Sequence, residues 1–344
     1  MSGGDDDDAG DDQAETDDID PDFPPALLNC PRPGSLPFST QSTGFEDDGN
    51  RELADTLLRF KDQGSDIMGN PGGVVGYTSM PLSQSPASDA FVFTGQKART
   101  AMDRGLEATP LGGEWVSLWG YDGDAWSELG RTQTGDNGMY QLSGIAPSPN
   151  PYQPIYSVLE SDGTCAPHYG FLLPQGTQVI VTDIDGTLTI ADEELFKEID
   201  DGNYDPIENA SASRMMNVWF EKGYHIVYLT ARPHVFRAET RQWLDRHAYP
   251  PGPVISANSL VFGESARQYK RTWCNRVLDD FGWDVVAAYG NETSDIDAYE
   301  DAGIPKSITF IVGPHAGVAD TQAILDNDFS AHINDFVRTY PDAK

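Results

Sequence analysis

The 344 residues carry 55 acidic side chains against 22 basic ones, a formal charge of −33. A field of that sign repels nucleic acid and anionic membrane surfaces, so DNA or RNA binding is excluded as a primary role. The length allows two domains, each with its own core. No run approaches the ~20 apolar residues of a membrane helix.

Residues 1–28 read as a disordered acidic tail, because eleven of the acidic residues and no Lys or Arg fall within positions 1–22. A Gly/Asp tail of this kind also resembles the spacer that follows the lipidated cysteine of bacterial lipoproteins. That leans the localisation toward the extracytoplasmic side, with a cytoplasmic chain as the alternative. Residues 29–88 form an irregular Pro/Gly/Ser-rich segment with one short helix expected over Asn50–Gln63, where Leu53, Leu57 and Phe60 fall at i, i+4 and i+7. A short strand is expected near Val74–Tyr77.

From 89 to 176 the pattern changes to short strands with turn signals at roughly ten-residue spacing, as in a small antiparallel sandwich. Glu114–Tyr121 alternates, with Trp115, Ser117, Trp119 and Tyr121 on one face. Asp122-Gly123 and Asp136-Asn-Gly138 mark turns. The aromatic side chains of this region are read as core rather than as a sugar-binding platform. Of the three cysteines, Cys30 and Cys165 could pair in an oxidising compartment, and no CxxC or Cys/His cluster suggests zinc.

From 177 to 344 strands alternate with helices, which implies a doubly wound parallel sheet. The strands expected are Val179–Thr182, His225–Leu229, Val285–Tyr289 and a last one at Ile308–Val312. Helices are expected from Asp205-Pro206 to Lys222, over Val235–His247, Ser265–Phe281 and Asp295–Asp301. Ligands of such sheets bind beyond the carboxyl ends of the strands.

The reactive residues fall at those ends. Asp183-Ile-Asp185-Gly186-Thr187 follows the first strand and puts two carboxylates one residue apart, whose repulsion calls for a cation. One carboxylate suits attack on phosphorus, and the other suits proton transfer to the leaving oxygen. Gly186 lets the backbone turn close to a phosphate, and Thr187 can donate its hydroxyl. The second strand ends at Leu229-Thr230-Ala-Arg232, where Thr230 can bond a phosphoryl oxygen. Lys270 can neutralise the phosphate. Asn291 and Asp295, after the Val285–Tyr289 strand, present oxygens that suit Mg2+.

Together these motifs resemble the haloacid-dehalogenase superfamily over residues 177–313, and more narrowly the lipin-type phosphatidate phosphatases. The resemblance implies a haloacid-dehalogenase-type α/β domain over 177–344 preceded by an immunoglobulin-like β-sandwich at 89–176. It implies an Mg2+-dependent phosphomonoester hydrolase acting through an aspartyl-phosphate, with Asp183 as nucleophile and metal ligand. Asp185 would be the general acid/base and a metal ligand through its backbone carbonyl. Gly186, Thr187, Thr230 and Lys270 would bind the phosphate, and Asn291 and Asp295 would complete the metal site. The expected partner is a phosphomonoester, phosphatidate at a membrane surface or a soluble ester. The same domain type closes some phosphatidylinositol-transfer proteins, where it has lost catalytic carboxylates and senses phosphatidate. That supplies a non-catalytic alternative. No basic amphipathic helix like that of the lipins is visible, and the stretch after the first motif, Ile190–Asn203, is too short for a large cap.

Overall fold

The computed structural model describes residues 58–73, 75–77, 91–101, 108–122, 125–160, 165–200, 204–257, 259 and 261–344. The acidic tail, Cys30 and the first half of the expected 50–63 helix lie outside them.

Two four-stranded antiparallel sheets come first in the chain. One joins β1 (Leu58–Gln63), β4 (Val92–Ala101), β5 (Ala108–Pro110) and β8 (Met139–Ser143). The other has the order β10 (Cys165–His168), β9 (Ile155–Leu159), β6 (Trp115–Tyr121), β7 (Trp126–Gln133). They share a core, because Phe93 and Leu142 of the first meet Leu118 and Ile155 of the second, with Ile67 between. On β6 the run Val116–Trp119 is buried throughout. The two faces alternate as expected, and both are covered: Leu118 packs with Phe93 and Val116 with Tyr140, whereas Trp119 packs with Val158. Cys165 is disulfide-bonded, Cys274 is a buried free thiol, and the expected partner of Cys165 lies outside the described residues.

The helix expected over 50–63 is corrected in its second half. Residues 58–63 are strand β1, whose backbone pairs antiparallel with β4 from Leu58↔Ala101 to Gln63↔Gln96. A pairing across more than thirty residues outweighs a local i, i+4 pattern. The strand expected near 74–77 is β3 (Val75–Tyr77). With β2 (Ile67–Gly69) and β11 (Gly170–Leu172) it makes a three-stranded sheet.

The C-terminal half is built on a six-stranded sheet. In order these strands are β14 (Val254–Ala257), β13 (His225–Pro233), β12 (Gln178–Thr182), β15 (Asp284–Gly290), β16 (Thr309–Val312) and β17 (Gln322–Ile324). Every neighbouring pair is parallel. β17 lies beyond the strand expected to be last. The strand order reverses between β12 and β15, and such a point opens a crevice at the carboxyl ends.

Period-two alternation on β12 sends Ile180 to one side of the sheet and Val179 and Val181 to the other. Helix α1 (Glu193–Asp200) lies in the short stretch after β12. On the Ile180 side pack α2 (Ala212–Glu221), through Met215, Met216 and Trp219, and α3 (Arg237–Arg246), through Trp243 and Leu244. The opposite side is covered by α4 (Gly263–Asn275), through Trp273 and Cys274, and α5 (Thr293–Asp301), through Tyr299. Met68, Tyr169 and Phe171 of the β-rich half join that second core, so the two halves share apolar packing.

Two helix boundaries are corrected. Asp205-Pro206 does not start a helix: residues 205–210 are non-helical, Glu208 bridges Thr189 and Ala210 bridges Asp328, Ser211 turns the chain at φ 62°, and α2 begins at Ala212. The Asn209 side chain donates to the carbonyls of Thr187 (2.8 Å) and Thr189 (2.9 Å), which ties this segment to the loop after β12. Helix α4 ends as an α-helix at Asn275 and continues as a π-turn over Arg276–Asp280.

A buried ion triad fastens the halves together. Asp66, fully buried before β2, accepts from Arg237 (2.6 Å) and Arg241 (2.6 Å) of α3, and from the Val254 amide (3.0 Å).

Candidate functional site

The carboxyl end of β12 delivers Asp183 beside β15, where its amide donates to the Tyr289 carbonyl at 3.0 Å. Three residues on, Gly186 takes φ 67°, and a Cβ there would sit 2.1 Å from Asn291 Nδ2 and 2.5 Å from Asp192 Oδ1. Glycine is required on both counts.

The turn draws several groups to one point. Thr187 Oγ1 lies 3.4 Å from Asp183 Oδ2 and 3.2 Å from Asn291 Oδ1. From α4, Lys270 places its ammonium 2.9 Å from Asp183 Oδ1 and in contact with Asp295 Oδ1. Lys270 is buried while its neighbour Arg271 is exposed, so of these two cations the lysine faces the site. The other oxygen of Asp295 accepts the amides of Asn291 and Glu292, both at 3.1 Å. Asp295 thus closes the first turn of α5 and holds Lys270 in place. Asp297 is exposed, on another face of that helix.

Asp185 has a different set of partners. Arg232, at the end of β13, donates from Nε to both carboxylate oxygens (3.0 and 2.9 Å) and from Nη2 to Oδ1 (2.8 Å). Thr230 Oγ1 lies 3.4 Å from Asp185 Oδ2 and accepts the Arg232 amide at 3.0 Å. The remaining Arg232 nitrogen reaches Glu198 of α1 (3.2 Å) and Thr240 of α3 (3.3 Å). All eight residues singled out in the sequence are therefore brought together. Asp183, Thr187, Lys270, Asn291 and Asp295 form one network beside Gly186, and Asp185 and Thr230 form a second around Arg232.

Sequence reasoning quoted Arg232 without giving it a role, and it missed Asp192, Glu198 and the rim. Asp192 accepts from Asn291 Nδ2 at 3.1 Å. The cleft is lined by Asp183, Asp185, Lys270 and Asn291 at its floor and by Phe196 and Phe262 at its mouth, and it encloses about 110 Å³. Sites that enclose a whole small molecule run to roughly 300–1,000 Å³. This one has room for a headgroup.

The electrostatics are those of an under-neutralised cluster. Burial pushes the Asp183 carboxyl up to about 8, the charges of Asp295 and Asp185 push the same way, and Lys270 opposes them. Burial works against the Lys270 charge, yet Asp183 and Asp295 together raise its pKa and hold it as an ammonium. Four aspartates, at 183, 185, 192 and 295, converge with only Lys270 and Arg232 among them. A divalent cation fits the deficit, and its hard oxygen donors would be the Asp183 carboxylate and the Asn291 amide oxygen. The expected ligand Asp295 instead has one oxygen on Lys270 and the other on the Asn291 and Glu292 amides. Among the described residues no group of three or more His, Cys, Asp or Glu side chains is arranged to hold a metal.

The arrangement defines an α/β protein with a small, aspartate-rich cleft at the reversal point of a parallel sheet. Residues 180–313 match the family model of the LNS2 domain of PITM 1-3. Human membrane-associated phosphatidylinositol transfer protein 3 is 29% identical over 246 residues, 71% of this chain and 23% of that protein. Drosophila melanogaster protein retinal degeneration B is 28% identical over 181 residues, 52% of this chain and 14% of that protein. The chain spans less than a quarter of the length of these relatives. A solved chain of the Pnkp1/Rnl/Hen1 RNA repair complex aligns over 38% of this chain and 42% of its own, at 16% identity and a TM-score of 0.31, too low to carry an argument. The human relative is named as membrane-associated, and the extracytoplasmic expectation finds no support in these relatives. No helix among the described residues is long and apolar enough to cross a membrane.

Proposed function

We propose that the cleft binds the phosphomonoester head of a lipid, phosphatidate or a close relative, with Mg2+ at Asp183, Asn291 and the Asp185 carbonyl. The observation that carries this reading is Asp183 held between Lys270 and the Thr187 hydroxyl at the sheet's reversal point. The fold would then be of the haloacid-dehalogenase type, and the two antiparallel sheets an immunoglobulin-like sandwich. A bound Mg2+ would supply positive charge to the phosphoryl oxygens and to the crowded carboxylates.

With both aspartates present, the residues support hydrolysis. Lys270 would neutralise and hold the ester while an oxygen of Asp183 attacks phosphorus in line. Asp185 would protonate the departing alcohol and then take a proton from the water that cleaves the aspartyl-phosphate. Thr230 and the backbone around Gly186 would orient the phosphoryl group.

A second reading is a module that holds the lipid phosphate without cleaving it, and the comparisons back it better, since the human relative is named as a phosphatidylinositol transfer protein. The Arg232 clamp favours it too. The two oxygens of Asp185 already accept three hydrogen bonds from one guanidinium, which commits the carboxylate to that partner. Hydrolysis requires Asp185 to leave that clamp.

The test is the initial rate of phosphate release with Mg2+, from phosphatidate in neutral detergent micelles and from water-soluble phosphomonoesters, alongside equilibrium binding to the same micelles. Release that depends on Mg2+ establishes the hydrolase. Binding without release establishes the module. Soluble esters preferred by tenfold or more would remove the lipid assignment, and neither binding nor release would remove both readings.

A further inference from the structure

We infer that Phe196 and Phe262 are membrane-docking side chains that seat the cleft on a bilayer, a step that rests on the lipid-phosphate reading above. Both line the mouth of the cleft whose floor holds Asp183 and Lys270. Both are exposed, Phe196 by 43% and Phe262 by 62%. Single exposed apolar residues are ordinary, but an apolar patch at the edge of a polar site marks an interaction surface.

Neither aromatic ring is carried by a loose segment. Phe262 caps α4, its amide donating to Ser265 Oγ (3.1 Å) and its carbonyl accepting the Ser265 amide (3.1 Å). Phe196 lies on α1 next to the buried Leu195. That helix is tied down by the buried Glu194, which accepts the Tyr204 hydroxyl (2.7 Å) and the Ile207 amide (2.8 Å). Two more exposed apolar side chains border the same helix. Ile190 stands two residues before Asp192, and its amide donates to the carbonyl of Ile207. Four of the seven large apolar side chains exposed among the described residues thus lie at 190–207 and 262, and two of them, Phe196 and Phe262, line the cleft.

The occupant follows from that juxtaposition. A cleft of about 110 Å³ takes a phosphate headgroup and leaves the rest of a lipid outside, where the first groups it meets are these apolar side chains. The net charge of −33 excludes electrostatic capture by an anionic surface, so attachment must come from apolar insertion at the interface.

The experiment measures sedimentation of the full chain with phosphatidylcholine vesicles carrying a minor share of phosphatidate, and calorimetric binding of inorganic phosphate, both with Mg2+. The variants are Phe196→Ala/Phe262→Ala and the apolar control Phe262→Leu. The alanine pair is expected to weaken vesicle binding about tenfold or more, well beyond any change in phosphate affinity. Phe262→Leu should keep most of the binding, and raising the salt should leave it intact or strengthen it, because repulsion is screened. Vesicle binding that survives the alanine pair, or that salt abolishes, overturns the docking role. A wild-type chain that binds phosphate but no vesicles also overturns it and leaves the anion site standing. One that binds neither removes the underlying reading as well.

Discussion

Arg232 and Asp185 face each other as a fork on a carboxylate, joined by three hydrogen bonds of 2.8–3.0 Å, with the guanidinium fully buried and its far nitrogen on Glu198. The pair links β13, which carries Thr230, to the loop that starts at Asp183, and Glu198 adds α1 to the same network. Asp185 therefore has an orientation that its own loop does not determine.

Replacing Arg232 leaves Asp185 and Glu198 facing a buried void without their cation. Arg232→Ala is expected to cost about 3–5 kcal/mol, the range for breaking one side of a buried pair. Arg232→Lys recovers charge but not the fork and should fall between. Urea unfolding midpoints of the three proteins check the order.

Asp183→Asn tests the nucleophile. An amide cannot form the acyl-phosphate, so any Mg2+-dependent hydrolysis should fall by roughly a thousandfold or more. Lys270 keeps Asp295 as its partner, so the fold should survive, as circular dichroism would show. A variant that retains a few per cent of the wild-type rate rules out covalent attack by Asp183.

The Asp66 triad predicts a stability effect far from the cleft. Asp66→Asn leaves the buried guanidinium groups of Arg237 and Arg241 sharing a neutral partner. A loss of about 3–5 kcal/mol is expected. Because the triad joins the β-rich half to α3, differential calorimetry should show the thermal transition broaden or divide.

Two buried histidines set an acid limit on stability. Burial, with Arg237 nearby, pushes His168 down to about 3, and burial with Arg237 does the same to His234. Lys97 adds to the effect at His168, and Asp66 opposes it at both sites. Their unfolded values lie near 6.5, so below that pH the unfolded chain binds more protons than the folded one. Stability from these groups is complete above pH ~6.5 and declines as pH falls toward 3, by up to about 1.4 kcal/mol per pH unit for each histidine. Urea titrations at pH 7.5 and 5 measure the slope, and His168→Gln should reduce it.

Much of the C-terminal half was legible because its strands are short, apolar and β-branched. Val179–Thr182 reads as a buried parallel strand from composition, and Asp183, Asn291 and Asp295 follow because ligands gather at such strand ends. The site's second network was not legible. Thr230-Ala-Arg232 shows that an arginine follows a strand, but only the fold shows it turning back onto Asp185, 47 residues earlier. Lys270 and Arg271 are equivalent on paper, and burial separates them. Asp205-Pro206 carries a helix-start signal that the chain does not use, because extended pairing with Thr189 and Asp328 and the Asn209 side chain hold that segment straight. Nothing local to Leu58–Gln63 reveals β4 as its partner.

The placement of β12 between β13 and β15 bears on how the chain matures in the cell. β12 ends at Thr182 and β15 does not begin until Asp284, about a hundred residues later. At translation rates of about 5–20 residues per second, the strand carrying Asp183 waits roughly 5–20 s for its second neighbour. Over that interval an apolar parallel strand has one unpaired edge and Asp183 has no lysine beside it, since Lys270 also lies ahead. Such long-range pairing is slow and exposed to aggregation, so the growing chain is a natural client for a chaperone until residue 290 has emerged.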